Sequence, residues 1–171
     1  MGRKTLHTPL AALQFAVQFA QADLDGADLR EVSQRLRDFD IGIPGAAVGS
    51  PWSGAVLGAV QADVLQLLGH VAGRGVAFVD LQLKVMVVRE DEAFRSPRST
   101  RRVSSGATGA IRDRVLYRLI RVLEEVGAEK LRVCPAPDCG RVFVKVTRKA
   151  FCSTRCQSRI YMRSYREENE G

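Results

Sequence analysis

The chain has 171 residues, of which 46% are hydrophobic, so it is long enough for one domain, or two small ones, with a real core. Its net charge is +7 and is unevenly distributed: residues 131–166 contain nine lysines and arginines against one acidic residue, whereas residues 1–130 are nearly balanced. This distribution favours a polyanionic partner for the C-terminal segment. An uninterrupted apolar stretch of about 20 residues is lacking, so we expect no membrane span and no membrane partner.

Helical periodicity, with helix-starting and helix-ending residues at the right places, predicts four helices in the first 126 residues. The first is expected from Pro9, capped by Thr8, to a break at Asp25-Gly26, and the second over 27–38. After a loop over 40–52, the third is expected from Ser53 to His70, with Gly73 and Gly75 ending it, and the fourth from Ala110 to Val126. The last of these presents a buried face formed by Ile111, Val115, Leu119, Val122 and Val126. Its arginines are predicted to form a solvated face: Arg112, Arg114, Arg118 and Arg121.

Between the third and fourth helices the period changes to that of a strand, because Leu81, Leu83 and Val85 alternate with other residues. Residues 90–106 are polar and rich in arginine, and are either the tip of a hairpin or a flexible basic loop. These elements predict an α+β fold whose N-terminal part, residues 1–128, is mainly helical with a small β-hairpin.

The C-terminal segment contains every cysteine of the chain, within 23 residues. Their spacing is C-x4-C, twelve residues, then C-x3-C, and two close pairs separated by about a hairpin's length are typical of a tetrahedral zinc site. Four thiolates leave no open position for water or substrate, so the zinc is expected to be structural. The alternative, two disulfides, would need an oxidising compartment. The predicted zinc ligands are Cys134, Cys139, Cys152 and Cys156.

The residues around the cysteines predict a small ββα unit over 129–171, similar to a zinc ribbon or a treble clef. Strands are expected at 131–133 and 142–146, with Phe143 as the core anchor. Pro135, Pro137 and Gly140 allow the tight turn between the first two cysteines. Ser153 is expected to cap a final helix and to place Cys156 in its first turn.

The final helix and the hairpin carry the basic residues that we predict to contact nucleic acid: Arg141, Lys145, Arg148, Lys149, Arg155, Arg159, Arg163 and Arg166. A purely solubilising face is the alternative interpretation of the arginines. Tyr161 and Tyr165 could stack on unpaired bases, although we expect at least one of them to pack in the core. An acidic protein partner would fit the same charge pattern, and so would RNA.

The motifs in this segment resemble the CGNR-type zinc fingers of bacteria. The resemblance is carried by Cys-Pro-Ala-Pro-Asp-Cys-Gly-Arg-Val-Phe (134–143), Phe-Cys-Ser-Thr-Arg-Cys-Gln-Ser-Arg (151–159) and Tyr161-Met162-Arg163. The signature itself is Cys156-Gln157-Ser158-Arg159 here, with its Gly and Asn replaced. The resemblance implies zinc binding by the four cysteines, DNA binding and transcription regulation. It also implies an ABATE-like regulatory domain over residues 1–128.

Enzyme signals are poor. The two histidines, His7 and His70, belong to no catalytic motif, and Asp63 and His70 are expected to be structural or surface residues. A glycine-rich phosphate loop is also lacking. We therefore expect a non-enzymatic, cytoplasmic, nucleoid-associated protein that binds nucleic acid, with DNA favoured over RNA. The N-terminal part would bind a small-molecule or protein effector or mediate homo-oligomerisation, and a zinc-stabilised protein-interaction module is the alternative.

Overall fold

A computed structural model describes residues 8–41, 51–89, 103–146 and 149–169. Within these ranges five helices accompany two small antiparallel sheets of two strands each, which confirms the predicted α+β class. The elements in chain order are α1 (Pro9–Ala20), α2 (Leu29–Ile41), α3 (Gly54–Arg74), β1 (Leu83–Arg89), β2 (Val103–Gly109), α4 (Ile111–Val126), β3 (Leu131–Val133), β4 (Val142–Val144) and α5 (Thr154–Asn169).

Helix α1 begins as the sequence predicts. Thr8 Oγ1 accepts a hydrogen bond from the backbone N–H of Ala11 at 3.2 Å, and Pro9 occupies the first turn, where it needs no N–H partner. The helix ends at Ala20, before the predicted break at Asp25-Gly26. It ends early because the N–H of Gln21 bonds to a carbonyl only three residues back, which tightens and closes the last turn.

Helix α2 is shifted towards the C-terminus relative to its prediction. Asp28 caps it, because its Oδ1 accepts the N–H of Arg30 at 2.9 Å and of Glu31 at 3.3 Å. The helix therefore starts at Leu29 and continues to Ile41, past the predicted end at residue 38.

Helix α3 starts as predicted and ends at one of the two glycines that were expected to end it. Ser53 Oγ accepts the N–H of Val56 at 3.3 Å. The helix passes His70 and stops at Gly75, whose φ of +73° is the left-handed conformation of a helix C-terminus. Of the predicted loop before it, residues 42–50 lie outside the described ranges.

By length and composition alone, α3 would be long and apolar enough to cross a membrane, with a mean hydropathy of 1.4. Leu57 and Leu68 on its inner face are fully buried against the rest of the chain, and 28% of the apolar window is buried. The core helix of a globular domain can meet the same criteria of length and hydropathy. The expected absence of a membrane partner therefore stays a prediction.

The predicted strand is confirmed as β1, and it forms the predicted β-hairpin with a second strand whose bounds the sequence did not indicate. β2 pairs antiparallel with β1, from Leu83 opposite Gly109 to Arg89 opposite Val103. The sequence of β2, Val-Ser-Ser-Gly-Ala-Thr-Gly, has weak strand propensity, so only the pairing with β1 identifies it. Residues 90–102, which include the arginines predicted to form a loop or hairpin tip, lie outside the described ranges.

The main core lies where α1, α3 and α4 meet, with α2 packed on α4. The predicted inner face of α4 is confirmed: Val115, Leu119 and Val122 are at most 1% exposed, and Ile111 and Val126 pack on the same cluster. The fully buried large side chains contributed by the other helices are Leu13, Leu36, Phe39, Leu57 and Leu68.

The predicted solvated face of α4 is wrong for two of its arginines. Arg112 bonds to Asp63 of α3 at 2.6 Å, and Arg114 bonds to Asp40 of α2 at 3.0 Å. These ion pairs tie α4 to the two helices beside it. Helical periodicity could not reveal them, because the carboxylate partners are distant in sequence.

We expect substitution of Asp40 and substitution of Arg114 to lower the free energy of unfolding by different amounts. Burial raises the pKa of Asp40, and the Arg114 guanidinium only partly offsets this. The pKa of Asp40 is therefore higher in the folded than in the unfolded state. Asp40 stabilises the fold fully at pH values below its unfolded-state pKa, and this stabilisation is lost as the pH rises through its folded-state pKa. At pH 7 Asp40→Asn should therefore change the free energy of unfolding by less than about 1 kcal/mol.

Arg114→Ala should instead cost about 2 kcal/mol or more at pH 7, because it leaves a buried carboxylate unpaired. Urea unfolding of both variants at pH 7 and near pH 4 measures the difference, which should shrink at the lower pH as Asp40 takes up a proton. Equal destabilisation of the two variants at pH 7 would contradict the burial argument.

The hairpin of the cysteine segment is packed into the main core. Leu131 of β3 and Val142 and Val144 of β4 belong to the same buried cluster as the helices. In addition, the side-chain amide of Gln21 donates a hydrogen bond to the carbonyl of Val142 at 2.7 Å. The division of the chain into 1–128 and 129–171 stays a prediction, but the two parts share a hydrophobic core.

Candidate metal centre

The four cysteine side chains converge between the hairpin and α5. Their Sγ atoms all lie within 4.8 Å of one another. Cys134 follows β3, Cys139 lies in the loop between β3 and β4, and Cys152 and Cys156 lie immediately before α5 and in its first turn. The structure therefore brings together every predicted metal ligand, and all four cysteines are free of disulfides.

The dimensions of this cluster fit a tetrahedral zinc ion. Sγ–Sγ distances are 3.6 Å for Cys139–Cys152, 3.5 Å for Cys152–Cys156 and 3.7 Å for Cys139–Cys156. A tetrahedron with Zn–S bonds of about 2.3 Å has edges of about 3.8 Å. Four sulfur donors at this spacing fill the shell of the metal, so the zinc that they bind is structural.

The first ligand pair is presented by a tight loop. The N–H of Cys134 bonds to the carbonyl of Arg141 at 2.8 Å, and the N–H of Cys139 bonds to the carbonyl of Ala136 at 3.2 Å. Gly140 has a φ of +59°, as its predicted role in the turn requires. Asp138 shares that φ, and sequence analysis did not single it out, although Asp tolerates the left-handed conformation better than most residues.

The second ligand pair is presented by the start of α5. Ser153 Oγ accepts the N–H of Cys156 at 3.2 Å, which confirms Ser153 as the predicted cap. Cys156 therefore lies among the free N–H groups of the first turn, where the helix dipole stabilises a thiolate.

The thiols of the cluster differ in pKa. The Ser153 hydroxyl, followed by Cys152, lowers the pKa of Cys156 to about 7, whereas burial and then hydrogen bonding to Cys156 raise the pKa of Cys152 to about 12. Burial also opposes ionisation of Cys134, but hydrogen bonds from the backbone of Cys152 and Ala136 give it a net lowered pKa. A zinc ion bound by these residues would supply the positive charge that favours the thiolate form of all four cysteines.

A small second core surrounds the cysteines. Phe143 is 7% exposed and packs there with Cys134 and Cys156, and Ile160 of α5 is partly buried against the same cluster. Phe143 is therefore where the sequence predicted it. Val142 and Val144 pack with the helices, whereas Phe143 packs with the cysteines, so β4 lies between the two cores.

The predicted nucleic-acid residues within the described ranges are all exposed: Arg141, Lys145, Lys149, Arg155, Arg159, Arg163 and Arg166. The remaining one, Arg148, lies outside those ranges. Arg159 also has a structural contact, since one of its guanidinium nitrogens lies 3.4 Å from the carbonyl of Pro137 in the first cysteine loop. This contact links α5 to the loop and was not foreseen from the arginine spacing.

The expectation that at least one tyrosine of α5 packs in the core is wrong. Tyr161 and Tyr165 are 63% and 64% exposed, and Met162 between them is 55% exposed. After Ile160 the helix extends away from the hairpin, so no core is available to these side chains.

Comparison with known protein families agrees with the geometry of this site. Residues 130–168 match the CGNR zinc finger family. No curated protein and no solved structure is significantly similar to the chain. The match covers the finger alone, and the ABATE-like N-terminal domain stays a prediction. Residues 130–168 of this chain are therefore similar to CGNR zinc fingers, and their four cysteines form a structural zinc site.

Proposed function

We propose that the protein binds nucleic acid, with DNA favoured over RNA, through the basic surface of its zinc finger. The observation that carries this proposal is the exposure of the basic residues on α5 and the hairpin, in a segment that the zinc site holds in one shape. A concentrated, exposed positive charge on an ordered helix suits contact with phosphates.

The charge distribution supports this proposal over a merely solubilising role. Residues 131–166 contain nine basic residues against Asp138, an excess greater than a zinc tetrathiolate of charge −2 would need. The resemblance to bacterial CGNR zinc fingers favours DNA and a role in transcription regulation, in the cytoplasm. The N-terminal part would then act as the regulatory half of the molecule.

We expect Arg155→Ala combined with Arg166→Ala to weaken binding and to reduce its salt dependence. Each arginine–phosphate interaction that these substitutions remove should lower the slope of log affinity against log salt by about 0.9 on duplex DNA or about 0.7 on single strands. Fluorescence anisotropy of the zinc-loaded chain with labelled oligonucleotides across a salt series measures both quantities. Arg159 is left intact, because its contact with Pro137 gives it a structural role as well.

A matched control removes the same charge elsewhere. Arg30 and Arg74 are exposed on α2 and at the end of α3, so Arg30→Ala with Arg74→Ala lowers the net charge equally without touching the finger. The proposal predicts that this control keeps the parental slope. Equal reductions of the slope in the two double variants would indicate a non-specific charge effect, and no binding by the parent would refute the proposal.

The second candidate is a protein-interaction module, and exposed apolar residues in the N-terminal part favour it. Phe78 is 94% exposed at the edge of a cavity of about 150 Å³ that Asp63, His70 and Arg112 also line. An effector or a second copy of the chain would find its contacts here. Sedimentation of the parent and of Phe78→Ser over a range of concentrations tests self-association, and a monomer at all concentrations would exclude it.

A further inference from the structure

The outward face of α5 carries three large apolar side chains beside small polar ones. At about 100° per residue, Cys156 and Ile160 define the face turned to the zinc core. Tyr161, Met162 and Tyr165 fall within an arc of about 100° on the opposite face. All three are more than half exposed. The same arc also holds the small polar residues Thr154, Ser158 and Asn169. A helix on a protein surface normally turns polar residues to solvent, so three large apolar side chains this exposed on one face indicate a partner with apolar surface.

The charges beside this aromatic face lie on one side only. On the helical wheel, Arg155, Arg159 and Arg166 follow Met162 along one flank. The other flank carries Gln157, Ser164 and Glu168, and thus no positive charge. The surface therefore presents two aromatic rings and a methionine side chain, with a row of cations along one edge.

This asymmetry distinguishes between two forms of nucleic acid. The major groove of duplex DNA, about 12 Å wide, has phosphates on both walls of an inserted helix, and its base faces are hidden by stacking. A single strand instead has phosphates along one side and unpaired bases along the other. Aromatic side chains stack on such bases, and a cationic edge follows the backbone.

We propose that α5 binds single-stranded nucleic acid, with its bases on Tyr161, Met162 and Tyr165 and its phosphates along the arginine flank. Tyr161 and Tyr165 are one helical turn apart, a rise of about 6 Å, close to the separation of two rings that enclose one base. The inference rests on the proposed function and specifies the form of nucleic acid. It gives a role to two tyrosines that belong neither to the zinc ligands nor to the core around them.

The test compares labelled dT20, U20 and a duplex of the same length, each with the zinc-loaded full chain at fixed salt. Single strands should bind at least about 10-fold more tightly than duplex. Tyr161→Ala with Tyr165→Ala should weaken single-strand binding about 10- to 100-fold with an unchanged salt slope, because stacking is removed and the charge is not. Tyr161→Phe with Tyr165→Phe should retain binding, since the rings remain. The dT20 and U20 arms distinguish DNA from RNA as the source of the strand.

Gln157→Ala with Ser164→Ala is the matched control, because both residues are exposed on the uncharged flank of the same helix. An oligonucleotide of abasic sites gives a second readout: it should bind the parent and the Tyr→Ala variant equally. Equal or tighter binding of duplex, or unchanged single-strand binding by the Tyr→Ala variant, would overturn the inference and leave the proposed function standing. Failure of the parent to bind any of the probes would overturn both.

Discussion

Removal of zinc from this protein is expected to unfold the finger and to lower the stability of the whole chain. The small core around the cysteines contains few apolar side chains, chiefly Phe143 and Ala136, and is too small to hold the loop and α5 in place alone. Structural zinc contributes on the order of 10 kcal/mol or more to folding in units of this kind. Because β4 also packs into the helical core, loss of the metal should weaken that core as well.

This expectation is measured by circular dichroism and thermal melting before and after treatment with a chelator, with metal analysis alongside. One zinc per chain should be found, and helical signal and melting temperature should both fall on chelation and recover when zinc is returned. Cys156→Ser should reproduce the loss without chelator, whereas Ser158→Ala, exposed on the same helix, should not. An unchanged melting temperature after complete zinc removal would contradict the shared-core argument.

Leu131→Ala is expected to destabilise the entire chain, although Leu131 belongs to the zinc-finger segment. Its side chain is 1% exposed and packs in the cluster formed by the helices. Truncation of a buried leucine leaves a cavity and typically costs about 2–5 kcal/mol. The destabilisation should appear as one cooperative shift in urea unfolding, monitored by total helical signal and by the fluorescence of Trp52, the single tryptophan of the chain.

Val133→Ala is the matched control, because Val133 lies on the same strand and is 40% exposed. It should change the free energy of unfolding by less than about 0.5 kcal/mol. If Leu131→Ala shifted only the signal of the finger and left the Trp52 transition unchanged, the two cores would be energetically independent. In that case the predicted division after residue 128 would also mark a folding boundary.

The elements that sequence analysis placed well are those with a local physical cause. The caps Thr8 and Ser53 satisfy N–H groups within their own first turn, so short windows of sequence identified them. The buried face of α4 follows from its 3.6-residue period. The bounds of β2 and the true ends of α1 and α2 were missed, because strand pairing and turn geometry, rather than propensity, decide them.

The zinc site was evident from the sequence by itself, because its chemistry depends on residue type and spacing: four thiolates in two close pairs, a capping Ser153 and turn-forming residues. Only the tertiary structure decided how this site is connected to the rest of the molecule. Val142 and Val144 belong to a short apolar run that shows no packing partner in sequence, but β4 packs on α1, more than a hundred residues earlier in the chain, and on α3. At least one of Tyr161 and Tyr165 was expected to pack in a core. Both are exposed, because α5 continues beyond Ile160, the last residue of its described part that joins a hydrophobic cluster. Burial depends on which elements meet in space, and a linear pattern does not contain that information.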